Sequence, residues 1–479
     1  MVSTTAQAVT SGNVRLAGRW AVFVVVWAVL GGAVPVLLLV EIPDAGRSVG
    51  WVFTLVLMVW SGARLAHRIA NGRPDLFDFV FWLFAYVFMG LAPTAQMRAD
   101  QVSTTTAGMD PAHDVRTAVA VWVGVVCYEI GHAWSSHRGH RRELDACEDE
   151  GLDARPGAAV ALTAVGVLAA LYYVSRIGLG TLFMNRYDAF SVRSDRMPDV
   201  ATRSIVSAAG SYPLLIAIGV YLRVWMTKAL GDRSRTYLPV AAVAAVVLLV
   251  VVNPISSARY DFGTVAFALV VFLGAMSTTR RARIAMAGTV AAFLFVFPVA
   301  DAFRSSTVNV TRNGFFGEYL GNADYDAFWQ VGNSLSYLDE GLVQPLRQAA
   351  GVVLFWVPRG VWPDKPEDTG VMLSELLLYI FTKLAAPLLA EMNVNGCYVL
   401  LALGFLTLGV GLERLDRRIA RALLHGGILW GVVGAVFPFY MVILLRGSML
   451  QATGTFVVAI ASVLVVRRRR AGPERRRRW

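Results

Sequence analysis

Charge is scarce in this chain. Asp, Glu, Lys and Arg together make up 16% of its 479 residues, against 56% for the hydrophobic types. Soluble domains carry about 25% charged and ~45–50% apolar residues, so the composition excludes a polar-surfaced globular protein and points to helices facing lipid. Cysteine is nearly absent: Cys127, Cys147 and Cys397 are too few and too scattered for a disulfide framework or a thiolate metal site. No Walker sequence, dinucleotide fingerprint or His-Glu-x-x-His pair occurs, which leaves nucleotide hydrolysis and zinc peptidase chemistry without support. No pair of broken apolar segments marks a transporter with inverted halves. Histidine is missing between His140 and His425. His132, His137 and His140 fall together near Glu129, a pattern that fits snorkelling at a basic membrane face better than a metal centre. Asp78, near the start of an apolar run, reads as an interfacial residue and not as a proton relay.

What is present is a series of long apolar runs. About twelve are long enough to span, over 20–40, 49–66, 76–96, 117–135, 157–176, 204–225, 237–253, 263–278, 285–303, 395–412, 426–445 and 448–466. Residues 1–19 are polar and precede the first run directly, as in a retained signal-anchor. With the N-terminus inside, the inner connections collect 27 of the 44 basic residues, and the alternation holds to the end of the chain. The formal charge of +11 owes +7 to the tail at 467–479, with eight arginines and one glutamate. That tail reads as a cytoplasmic positive-inside anchor on anionic lipid, not a nucleic-acid site. Heavy Arg, Ala, Val and Gly usage with little Lys suggests a GC-rich bacterial source. The expected fold is an all-α integral membrane protein in the cytoplasmic membrane, both termini cytoplasmic. Residues 1–303 form an N-terminal bundle of about nine helices, 304–394 a large extracytoplasmic loop, 395–466 the C-terminal helices and 467–479 the tail.

The large loop holds ten acidic and six basic residues. Phe328, Val331, Leu335, Leu338 and Leu342 recur at spacings of three and four, opposite Asp326, Gln330, Asn333 and Tyr337, which predicts an amphipathic helix lying on the membrane or on the bundle. The stretch 371–390 is apolar, but Glu375, Lys383 and Pro387 argue for an interfacial helix over a span. In "VLFWVPRGVWPDKPEDTG" (353–370), Pro358, Pro363 and Pro366 suppress helix, and Trp356 and Trp362 suit the headgroup region and the faces of sugar rings.

The informative residues are cations on the outer side, where the positive-inside rule does not put them. Arg259 sits in the short turn "NPISSARYDFG", and Arg446 sits where the chain turns back at "LLRGS". Arg176, Arg186, Arg193, Arg196 and Arg203 occupy the segment 176–203, Arg304 opens the large loop, and Arg359 and Lys365 stand in the proline-rich hook. Taken together they read as one cradle for a lipid-borne anion. Guanidinium forks grip phosphate oxygens bidentately and stay charged in low dielectric.

"FWVPRGVWPDKPEDTG" followed by "APLLAEMNVNG" (386–396) resembles the large periplasmic loop of bacterial oligosaccharide repeat-unit polymerases, the Wzy-type family related to O-antigen polymerases, and "SARYDFG" (257–263) is similar to their short outer turn. The resemblance covers about 180–450. It implies a GT-C-like glycosyltransferase that moves a growing glycan from polyprenyl diphosphate to a hydroxyl of a new lipid-linked repeat unit, outside the cytoplasm, with no cofactor and no required metal. Its partners would be the lipid-linked oligosaccharide, membrane lipid and a chain-length regulator. Carried over to this chain, the resemblance marks Arg259, Arg359, Lys365 and Arg446 as the leading cations. Arg186 and Arg304 stand behind them, with Trp362 on the sugar. The acceptor hydroxyl needs a base, for which Glu391 is the first choice and Asp326 the alternative. Rival readings are an O-antigen-ligase-like transferase, weakened by the missing loop histidine, and a lipid-linked sugar flippase, weakened by charge gathered on one face.

Overall fold

The computed structural model describes residues 17–140, 153–299, 315–379 and 384–468. All regular elements among them are helical, apart from an isolated bridge between Ala154 and Arg467. Among the described residues ten helices are long and apolar enough to cross a bilayer, as in an all-α, multi-pass membrane protein.

The first helices are α1 (Ala17–Glu41), α2 (Gly50–Asn71), α3 (Leu76–Arg98), α4 (Ala112–His140) and α5 (Pro156–Ile177). After the short α6 (Arg186–Arg196) come α7 (Val200–Ala209) and α8 (Tyr212–Met226), which together make one spanning unit, and α9 (Leu238–Val251). The runs read at 263–278 and 285–303 become α10 (Arg259–Phe272) and α11 (Thr279–Ala291, continuing through a π turn to Val299). Among the described residues neither qualifies as a full span. The 14 residues of α10 reach about 21 Å at ~1.5 Å per residue, short of a ~30 Å hydrocarbon core. The chain closes with α15 (Leu388–His425), α16 (Leu429–Arg446) and α17 (Met449–Val466), after the loop helices α12 (Ala327–Asp339), α13 (Arg347–Val353) and α14 (Thr369–Leu376).

Two features organise the bundle. Helix α3 is buried on all sides and forms its axis. Helices α4 and α15 pack so closely that glycine is required at the crossing. A Cβ on Gly131 would lie 2.1 Å from the Leu406 carbonyl oxygen, and one on Gly409 2.2 Å from that of Tyr128, the close backbone approach that small residues permit between membrane helices.

Connections meet one another in two groups. In one, Arg283 donates to Ala70 O (2.6 Å), Arg223 to Ala422 O (2.6 Å), and the backbone N–H of Leu429 to Asp153 (3.0 Å). In the other, Arg47 pairs with Asp114 (3.0 Å), Arg116 with Asp339 (2.7 Å), and Leu346 N donates to Asn395 O (2.9 Å).

The loop departs from expectation in one respect. Both faces of α12 are buried from Ala327 through Leu335, because it lies among α3, α4 and α15 and not on a surface. Its polar face is therefore satisfied internally: Asn333 donates to Gln330 (2.8 Å), Tyr379 to Asn333 (3.1 Å) and Asn393 to Ser334 (3.2 Å). The stretch 371–390 does not form one helix. It breaks after α14, and α15 starts at Leu388 behind Pro387.

Candidate functional site

The site begins with a turn. Asn253 accepts from Ile255 N and Ser256 N (both 3.0 Å) and donates to Leu182 O (3.1 Å), which fixes the chain just before Arg259 at the start of α10. From the other side, Arg446 ends α16 immediately before the tight turn into α17. Between them the loop delivers Asp324-Tyr325-Asp326. Gln96 at the end of α3 secures that loop, donating to Tyr319 O (2.9 Å) and accepting from the indole N–H of Trp329 (2.7 Å).

Arg259 and Arg446 converge there. Arg259 Nη2 bonds Asp324 Oδ2, and its Nη1 donates to Phe297 O (2.9 Å). Arg446 donates through Nε to Asp324 O (2.8 Å) and through Nη2 to Asp324 Oδ1 (3.4 Å) and Asp326 Oδ1 (3.3 Å). Its guanidinium lies 5.4 Å from the centre of the Tyr260 ring, whose buried hydroxyl has no partner among the described residues. Asp326, 2% exposed, also accepts from Thr105 (3.3 Å) and Ala385 N (3.4 Å). Burial pushes its carboxyl above the ordinary range, and Arg446 pulls it part of the way back.

An apolar groove of about 590 Å³ runs from this cluster between α10 and α11. Arg259 stands in its wall with Gly263, Ala266, Gly288, Phe293 and Phe439, and Gly288 faces open space. Small residues on the two helices create the groove, and one guanidinium marks its polar end.

The remaining sequence candidates lie elsewhere. Glu391 is 1% exposed and accepts from Thr369 (2.9 Å), Ser448 (3.3 Å) and Met449 N (3.2 Å). It therefore caps the N-terminus of α17, where a negative charge is stabilised. The neighbouring Asp368 carboxyl, also raised by burial, caps α14 through Gly370 N (2.9 Å). The motif around Glu391 thus has a structural content: Pro387 starts the helix, Asn395 accepts from Ala349 N (2.9 Å), and Gly396–Cys397 breaks the helix, with Cys397 at a positive φ of 56°. Arg359 and Lys365 do not join Arg259 and Arg446. They face a separate cleft with Arg347, Asp364, Glu367 and Glu375. There they stitch the hook to itself, Arg359 donating to Lys365 O (2.9 Å) and Lys365 to Phe355 O (2.6 Å) and Val357 O (3.0 Å). Trp362 is half-buried within that hook, and the segment 354–368 contains no helix, as its prolines predict. Arg186 opens α6, and its field reaches Asp261. Arg304 lies outside the described residues. The single cradle expected from sequence is thus three groups of cations. His132 is buried against Arg68 (3.2 Å), while His137 is exposed; no metal-holding cluster occurs among the described residues. Asp78 lies in the first turn of α3, where it is fully buried in the protein and bonded by Arg68 and Tyr128 (2.9 Å).

Sequence reasoning missed Asp324 and Gln96. An Asp-x-Asp pair directly before an amphipathic helix was the available signal for the first; nothing local marks the second. No family model, no curated protein and no solved structure matches the chain.

Proposed function

We propose that this protein is a membrane glycosyltransferase of GT-C-like organisation that polymerises lipid-linked oligosaccharide repeat units on the outer face of the bacterial cytoplasmic membrane, with the 304–394 segment outside. The observation that carries the reading is the placement of Arg259, next to Arg446, at the polar end of the apolar groove between α10 and α11. A polyprenyl chain fills the groove, and its diphosphate takes the place of Asp324 on the two guanidinium forks, which bind phosphate as readily as carboxylate.

The chemistry follows from the same groups. The acceptor hydroxyl oxygen attacks the anomeric carbon of the donor glycan, and the bond from that carbon to the diphosphate oxygen breaks. The hydroxyl proton passes to Asp326, whose burial makes it a better base than an exposed carboxylate. Polyprenyl diphosphate leaves with its new charge held by Arg259 and Arg446, a kind of stabilisation worth about 3–4 kcal/mol per well-placed donor. Glu391, whose oxygens are taken up by α17 and Thr369, positions the turn that carries Arg446.

The test is purified protein in lipid with a synthetic polyprenyl-diphosphate oligosaccharide. A ladder of products is expected. A single transfer indicates a ligase, and relocation without new glycosidic bonds a flippase; either outcome overturns the reading.

A further inference from the structure

Helix α10 has a second cavity on its other side. Residues 259, 262, 263, 266, 267 and 270 border the apolar groove, whereas 258, 261 and 265 border a polar cavity of about 250 Å³. Three-and-four spacing assigns the two sets to different faces of one helix. The polar cavity is walled by Arg193 from α6, Arg203 and Ser207 from α7, then Ser211, Tyr212 and Asp261.

Its polar groups are incompletely used. Among the described residues, Asp261 has no hydrogen-bond or ion-pair partner, although Arg186 and Arg193 supply positive field. Arg193 donates both Nη groups to Ser256, to O at 3.1 Å and Oγ at 3.0 Å, while its buried Nε–H has no partner. Arg203 is held by Ser194 (3.1 Å) and Met197 O (3.0 Å) over the ring of Phe190. The buried Arg193 Nε–H is expensive to leave without a partner, and the carboxylate of Asp261, open to the same cavity, is a ready acceptor for a ligand.

The chemistry selects the ligand. One carboxylate is too few for a metal. The Nη groups of Arg193 that would fork a phosphate are already given to Ser256, as is Nη1 of Arg203 to Ser194 and Met197. A wall that mixes two arginines, an aspartate and several serines with apolar residues does not suit a lipid tail. A sugar ring offers hydroxyls that both donate and accept, and its apolar face suits an aromatic wall. The volume lies below the ~300–1,000 Å³ of sites for drug-sized molecules, which fits one ring and not an oligosaccharide.

We propose that this cavity is a subsite for a single sugar ring, with Asp261 accepting from ring hydroxyls and Arg193 Nε donating to a hydroxyl oxygen. Resting on the reading above, the subsite receives a sugar of the incoming repeat unit, across α10 from the diphosphate.

The experiment is saturation-transfer NMR on the full chain in lipid nanodiscs, with methyl β-glucoside, methyl β-galactoside, methyl α-mannoside and methyl N-acetyl-β-glucosaminide as probes. Saturable transfer to at least one probe is expected, falling at least fivefold in Asp261→Asn, which is isosteric, and in Ser207→Leu, which fills the cavity. No saturable transfer in the wild type, or unchanged transfer in a folded Asp261→Asn protein, overturns the subsite. Because no lipid diphosphate is present, this result is independent of whether the groove and the transfer reaction are correctly assigned.

Discussion

Arg259 and Arg446 hold opposite oxygens of one carboxylate, Asp324 Oδ2 and Oδ1. The two arginines come from different parts of the chain, and their meeting point is a loop aspartate between them in sequence. This shared partner fixes both forks in place before any ligand arrives, and it is the feature from which the functional account grows.

Removing the shared carboxylate leaves two cations poorly compensated in a mostly buried setting. Asp324→Ala should destabilise the protein by about 3–5 kcal/mol, as breaking a buried pair does, read as a clear drop in melting temperature in detergent. An unchanged melt would mean that the pair is already solvated.

Replacing a fork by a point charge should leave the fold but not the reaction. In Arg446→Lys a single ammonium replaces Nε and Nη2, which now reach Asp324 O, Asp324 Oδ1 and Asp326 Oδ1. Transfer should fall about 10²–10³-fold, the cost of one charge-stabilising donor. Arg359→Lys, in the separate hook cleft, should cost less than tenfold in the same assay.

The two candidate bases should separate in kinetics. Asp326→Asn should lower turnover about 10²–10⁴-fold with little change in donor KM, whereas Glu391→Gln should mainly lower the melting temperature. A base works only when deprotonated. Burial raises the Asp326 carboxyl, so the wild-type rate should climb as pH rises through that raised value, and the climb should vanish in Asp326→Asn. A Glu391→Gln protein that folds but is inactive would reverse the assignment.

Gly288 opens onto the groove, with no atom within 4 Å of the place a Cβ would occupy, so Gly288→Leu should fill space without a clash. Donor KM should rise about tenfold, ~1.4 kcal/mol, with turnover at saturation little changed. An unaltered KM would show that the lipid lies elsewhere.

The helices are legible in the sequence because lipid demands long apolar runs. Arg259 and Arg446 stand out as well, since each occupies a turn too short for an incidental charge. Legibility ends where tertiary contacts decide. The polar stripe of α12 reads as solvent-facing, but Ser334 and Asn333 find Asn393 and Tyr379 only after the chain folds. Arg359 and Lys365 read as free cations, yet they serve the backbone carbonyls of their own hook. Periodicity does not reveal that α10 is too short to be an ordinary span, because the apolar and small residues after Phe272 prolong the apolar run beyond the end of the helix.

The most direct measurement is the binding of polyprenyl diphosphate to the purified protein, followed by native mass spectrometry, in wild type, Arg446→Gln and Arg359→Gln. Saturable binding to the wild type is expected, with at least tenfold weaker binding in Arg446→Gln and near-normal binding in Arg359→Gln. Wild-type binding by Arg446→Gln, with the loss falling on Arg359→Gln instead, would contradict the placement of the diphosphate on Arg446.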